Sequence, residues 1–202
     1  MPGAVTQYWT SLLNPNAPWQ TASGPVLSTA ATATISPEAA GGTGPDPQNL
    51  TWWQGMVIRV EAQGVYTNGS TATNATFALY ASTPLTALSG GTPLATTGAL
   101  ALPPSQTGLF WELTAKIQCR AIASGTGTPT LYTHGKLYIQ TAVQSGVTGN
   151  VQMWPLPATS GPTAASLDTT IAHTLGLVGT LSQVTGGPSI TCTSITHEIV
   201  AG

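Results

Sequence analysis

Side-chain chemistry needs a nucleophile, a base or a set of metal ligands held together. This 202-residue chain is short of all three, with six Asp and Glu, four Lys and Arg, three His and two Cys. Nucleophilic catalysis sets a Ser or Cys beside a base on a rigid turn. The chain has no Gly-x-Ser-x-Gly elbow, and its serines fall mostly in loops and Thr-rich strands. His134, His173 and His197 belong to three different strand-like segments, with no His-x-His or Glu-x-x-His spacing. In "HEI" (197–199) His197 and Glu198 point to opposite faces of a strand, so they cannot share one ion. Glycoside hydrolysis needs two carboxyl groups facing one bond. Glu38 and Asp46 lie in a loop-like stretch, and Glu61, Glu112 and Glu198 each stand alone on a strand. The expectation is a non-enzymatic chain without catalytic, metal or cofactor-binding residues.

What charge there is gathers in "GLFWELTAKIQCRAI" (108–122). Leu109, Trp111, Leu113, Ala115, Ile117, Cys119 and Ala121 are all apolar and occupy alternate positions. Phe110, Glu112, Thr114, Lys116, Gln118, Arg120 and Ile122 fill the positions between them. A period of two marks a half-buried strand. Glu112, Lys116 and Arg120, four apart, then share the polar face at intervals of about 13 Å. Beyond the turn-like "SGTGTP" (124–129), "TLYTHGKLYIQTA" (130–142) alternates in the same way. As a hairpin partner it adds Tyr132, His134, Lys136 and Tyr138 to that face. The face has two readings. It is the solvated outside of a sheet, or an inter-subunit contact in which Glu112, Lys116, Arg120 and Lys136 set the register between copies. Cys119, on the apolar side, reads as a small buried hydrophobe, and with Cys192 far away in sequence both thiols are expected to be reduced.

Charged residues make up 5% of the chain, against roughly 25% in an ordinary domain. The polar surface must therefore be built from Thr, Ser, Gln and Asn, and β-branched Thr favours strands. A net charge of −2 with only four cations offers no field for nucleic acid. No apolar run approaches the ~18–20 residues of a membrane-spanning helix. The opening "MPGAVTQYWTSLL" has no basic stretch followed by an apolar one, so no export signal is read. The sequons at Asn49, Asn68 and Asn74 are accordingly read as chance in a Thr-rich chain. Chains near neutrality associate readily, which points to an assembly.

Residues 1–24 hold Tyr8, Trp9, Leu12, Leu13 and Trp19 among helix breakers such as "NPNAP". They read as an extended arm that anchors on a partner or packs on its own domain. From residue 25 onward strands follow in series: 26–36, 56–67 with a bulge or bend at Gly64, 75–82, 93–103, 108–122, 130–142, 168–182 and 188–202. A long loop is read over 143–167, around "MWPLP". Eight strands separated by Gly- and Pro-rich loops, with no convincing helix, predict an all-β antiparallel sandwich over 25–202. Its winding is read as an eight-stranded jelly roll behind the N-terminal arm. Further anchoring candidates outside the arm are Trp52, Trp53 and Trp154.

Several segments occur in a fixed order: "WWQGMVIRVEAQGVYTN", "FALYAS", "LATTGALALP", "FWELTAKIQCRAIASGTGT", "LYTHGKLYI" and "ITCTSITHEIV". As an ordered set over most of residues 50–200 they resemble a family of small structural proteins of tailed bacteriophages, especially those of actinobacterial hosts. Roles in that family run from head decoration to minor tail protein. The resemblance implies a virion component made in the bacterial cytoplasm and assembled without export. It implies a homotrimer on the outer capsid surface that binds the major capsid protein and bridges capsomers. The alternative is a minor tail or fibre-associated module that binds host-surface carbohydrate. The resemblance carries no catalytic residues onto this chain.

Overall fold

The computed structural model describes residues 8–9, 32–34, 52–82, 91–122, 129–141, 150–158, 164–165, 167, 173–183 and 186–201. Among these residues all regular structure is strand. The strands are β1 (Tyr8–Trp9), β2 (Thr32–Thr34), β3 (Val57–Asn68), β4 (Thr73–Ser82), β5 (Thr92–Thr96) and β6 (Leu100–Leu102). They continue as β7 (Gln106–Ile122), β8 (Pro129–Gln140), β9 (Val151–Leu156), β10 (Ala164–Ala165), β11 (Thr174–Leu181) and β12 (Ser189–Ala201). A larger sheet runs in the order β1-β12-β3-β7-β8-β10, with β9 also paired to β8. A smaller sheet runs β2-β11-β4-β5, with β6 also paired to β4. Every pairing is antiparallel.

The all-β antiparallel expectation therefore holds. The eight-stranded jelly-roll winding is not what this order describes. Two interleaved Greek keys send most successive strands to opposite sheets, whereas β7, β8 and β9 form a meander within one sheet and β4 and β5 a hairpin within the other. The expected strand at 93–103 divides into β5 and β6, because residues 97–99 leave the ladder. There the Thr97 hydroxyl accepts the Phe77 N–H (3.0 Å), and the Thr97 N–H donates to the Phe77 carbonyl (2.9 Å). The loop expected over 143–167 contains β9, where "VQMWPL" pairs with β8 at the sheet edge. Pro155 hid that strand, since proline is tolerated only where no ladder donor is needed.

The strand periodicity becomes burial directly. On β7, Leu109, Trp111, Leu113, Ala115, Ile117 and Cys119 are all buried, and the residues between them face outward. The two sheets meet at Trp111 and Phe77, fully buried side chains whose ring centroids lie 5.0 Å apart at 56°. Trp111 needs room on its own sheet as well. Its cross-strand partner is Gly64, and a Cβ there would come within 2.7 Å of Trp111 Cζ2 and collide with the Thr191 carbonyl. The indole N–H donates to the Val65 carbonyl (3.3 Å). The bend expected at Gly64 is thus a close approach within an unbroken β3. The register shift lies opposite it on β12, between Cys192 and Ser194.

Buried polar groups tie the layers together. Asn68 donates through Nδ2 to the carbonyls of Leu102 (3.1 Å) and Pro103 (2.9 Å), holding the end of β3 to the end of β6. Its burial agrees with reading that sequon as chance. Tyr66 donates its hydroxyl to the Gln140 carbonyl (2.6 Å), and burial pushes the phenol up to about 12. His197, on the inward side of β12 opposite Val60, is lowered from its ordinary 6.5 to about 4 because burial disfavours the imidazolium.

Gly64→Ala should lower unfolding stability by about 3 kcal/mol through overpacking, and Trp111→Ala by about 3–5 kcal/mol through the cavity it leaves. Urea unfolding followed by tryptophan fluorescence measures both, and unchanged midpoints would contradict the packing described. As pH falls from about 6.5 towards 4, the unfolded chain takes up a proton at His197 that the folded chain refuses. Stability contributed by neutral His197 is complete above pH 6.5 and is lost on acidification, by on the order of 3 kcal/mol at most. The difference between wild type and His197→Gln in urea titrations at pH 7, 5.5 and 4.5 should shrink accordingly.

Candidate functional site

The outward face of the larger sheet collects the groups that sequence reading singled out. Arg59 on β3, Lys116 and Arg120 on β7 and Lys136 on β8 are the chain's four Lys and Arg residues, and all of them lie on this face. Glu61, Glu112 and Glu198 share it. The hairpin expected between 108–122 and 130–142 forms, with Glu112 opposite Tyr138, Thr114 opposite Lys136, Lys116 opposite His134 and Gln118 opposite Tyr132. Because side chains alternate, one register fixes every neighbour on this face.

The four residues predicted to act together are spread along the face: Glu112 borders its first end, Lys136 and Lys116 lie in adjacent rows near the middle, and Arg120 is at the second end. At the first end Glu112 and Lys136 flank an apolar band. Val65 pairs with Phe110, Gln140 with Val151, and Tyr138 with Met153. Phe110 is 41% exposed and Met153 61%, and Val65 and Val151 are exposed as well. The Lys136 ammonium sits 4.8 Å from the centre of the Tyr138 ring. Here Glu112, Lys136 and Tyr138 edge a patch that is mostly hydrocarbon.

About 30 Å away along β7, the second end is polar. A register shift between Cys119 and Ala121 makes Arg120 the extra residue of a β-bulge, a feature that bends a strand and re-aims its side chain. The Arg120 guanidinium carbon lies 5.6 Å from the Tyr132 ring centre. Beside it is an open depression of about 530 Å³, lined by Gln118, Arg120, Ala121, Thr130, Tyr132 and His134. Lys116 stands next to it, opposite His134. Between the two ends a cross-strand ion pair joins Arg59 to Glu198 (3.1 Å). At an exposed position such a pair contributes little to stability, but it neutralises one cation on the face. Sequence reading took Glu198 as isolated; the signal missed was its registry with Arg59.

The anchoring candidates separate similarly. Trp52 is only 3% exposed and belongs to the core, so it is withdrawn as a docking residue. Trp53 is 40% exposed, in a turn whose Gly55 N–H donates to the Cys119 carbonyl (2.9 Å). Trp154 lies on the inward side of β9 and packs partly buried against the core. In the arm, Tyr8 and Trp9 form β1, paired with Glu198 and His197 of β12. Leu12, Leu13 and Trp19 lie outside the described residues.

The other chemistry-bearing residues stay apart. Among the described residues no three His, Cys, Asp or Glu side chains are placed to hold a metal ion. Cys119 and Cys192 are both buried and are not joined to each other, and burial raises the Cys119 thiol. Each precedes a bulge and donates its thiol to the carbonyl two residues on, Ala121 (3.8 Å) and Ser194 (3.2 Å) respectively. These thiols are structural, because thiolate formation needs exposure or a nearby cation.

No protein-family model matches this chain, and no curated protein does. Among solved structures it is similar to the CBM2 module of an evolved Dit protein from Lactobacillus casei BL23 phage J-1. The identity is 13% over 83% of this chain and 67% of that one, with a TM-score of 0.24. At that score the similarity bears on neither fold nor role.

The buried thiols give a direct check. A disulfide-exchange reagent should label neither cysteine in the native protein and two per chain in 6 M guanidinium, as counted by absorbance. Rapid native labelling of either would contradict its burial.

Proposed function

We propose that this protein is a non-enzymatic structural component of a bacteriophage virion that decorates the outside of the capsid. It attaches to the major capsid protein as a homotrimer. The observation that carries this reading is the apolar band of Val65, Phe110, Val151 and Met153, laid flat on one sheet face and edged by Glu112 and Lys136. Exposed apolar surface of this kind on a chain of little charge favours coverage by a partner. The flat, rigid sheet loses little conformational freedom on docking, so buried area converts more fully into affinity. Glu112 and Lys136 at the rim select orientation. The ordered sequence resemblance described above supplies the kind of particle.

On this reading the protein acts by mass action. A protein that binds the assembled shell in preference to free subunits stabilises the shell by RT ln(1 + [L]/Kd). A phage head carrying packaged DNA benefits from such reinforcement without any turnover of substrate.

The double variant Phe110→Ser/Met153→Ser should unfold within about 1 kcal/mol of wild type, since Met153 is mostly exposed and Phe110 gives up little more than its cross-strand contact with Val65. It should fail to co-sediment with heads assembled without this protein, whereas wild type saturates them at hundreds of copies per particle. Normal decoration by the variant, or an image of the virion with a handful of copies on the tail, would overturn the proposal.

A further inference from the structure

The second end of the same sheet face is built differently from the docking band, and the proposed capsid attachment leaves it unused. Its depression of about 530 Å³ falls in the size range of small-ligand sites. None of the side chains lining it is acidic. Of the acids on this sheet face, Glu198 is engaged by Arg59, Glu61 lies one row from Lys116, opposite Thr114, and Glu112 lies further toward the apolar end, opposite Tyr138. Lys116 is thus partly balanced by Glu61, whereas Arg120, six positions along β7 from the Glu61 row, has no acid beside it and makes the depression locally positive on a chain whose net charge is −2.

The polar groups here are also uncommitted. Among the described residues, Gln118, Thr130, His134 and the Tyr132 hydroxyl have no side-chain hydrogen-bond partner, and Arg120 makes only its contact with the Tyr132 ring. That contact limits where the guanidinium goes and leaves its N–H fork available. A planar fork suits two oxygens of one anionic group. Around it, an amide, two hydroxyls and an imidazole alternate donors with acceptors, which matches a ligand rich in hydroxyl groups. A nucleic-acid strand would demand a run of cations, and this end has two. Trp53 stands at the same end of β7, because its turn is hydrogen-bonded to Cys119.

We propose that this depression binds an anionic sugar residue, carrying a carboxylate or a phosphate, within a surface glycan. Arg120 takes the anionic group with Lys116 in support, and Gln118, Thr130, Tyr132 and His134 take the hydroxyls. The site is independent of the docking band, so it operates whether or not the capsid reading stands.

Titration calorimetry on the full chain tests this with three probes: tetragalacturonate for the carboxylate, glucose 6-phosphate for the phosphate, and maltotetraose as the neutral control. Binding of at least one anionic probe, at least tenfold tighter than maltotetraose and weakened by salt, is expected. Arg120→Gln should weaken that binding at least tenfold and Arg120→Lys less, with Gln118→Ala giving a smaller loss. Both positions face outward, so circular dichroism should remain native. Phe110→Ser/Met153→Ser, which tests the docking band, should bind the anionic probe as wild type does. No binding of either anionic probe, equal binding of maltotetraose, or indifference to Arg120→Gln would each overturn the proposal. Loss of binding only in the Phe110/Met153 variant would assign the ligand to the apolar band instead, and would equally overturn it.

Discussion

One packing arrangement governs the rest of this molecule: the Trp111 indole passes over Gly64 to meet Phe77 of the opposing sheet. It is the largest fully buried side chain of the core. Only glycine beneath it allows the approach, because any Cβ would strike both the ring and the Thr191 backbone. With Trp111 pointing inward, the alternation of β7 leaves no choice for its neighbours. Phe110 and Glu112 must face out, and so must Lys116 six positions further on from Phe110. A slip of one residue would turn the core side chains outward, so burial of one indole holds the whole outer face in register.

The two cysteine-capped bulges modify that regular pattern at chosen points. At Cys192 the register shift lets β12 pass the crowded region beside Gly64 and Trp111 while keeping Ile190 and Ile195 in the core. At Cys119 the shift sets Arg120 apart from the ladder, beside Tyr132, and opens the polar depression. In both places a buried thiol donates across the bulge to the carbonyl two residues on. A serine would make the stronger hydrogen bond, but it would bury a more polar group amid hydrocarbon. Cysteine reconciles the two demands, which explains its presence without any redox role.

The outer face then divides by chemistry. Near Phe110 it is hydrocarbon edged by single charges; near Arg120 it is cationic and rich in neutral hydrogen-bonding groups, with the Arg59–Glu198 pair between them. A chain with so few charges has placed all its cations on one side of one sheet. On the proposed reading the hydrocarbon end meets a protein surface and the cationic end a sugar. Their physical requirements differ: the first needs flatness and little competing charge, the second a concavity with available donors.

Much of this was legible in the order of residues. Strict alternation over 108–122 and 130–142 predicted two paired strands, an apolar set from Leu109 to Ala121, and the membership of Glu112, Lys116, Arg120, His134 and Lys136 on one face; the set is buried as far as Cys119, and Ala121, past the bulge, is exposed. Those inferences rest on period two, a local property of each strand. What the sequence could not reveal depended on contacts between distant segments. Pairing of β12 with β3 brought Glu198 to Arg59, and core packing took Trp52 inward while leaving its neighbour Trp53 in water. Sheet order and the strand at Val151–Leu156 were likewise decided by which edges were open, a matter of long-range register. Alternation by itself thus determined which residues face out. Only the tertiary structure, through the Cys119 bulge and the rows formed across β3, β7, β8 and β9, decided that those residues make two separate surfaces.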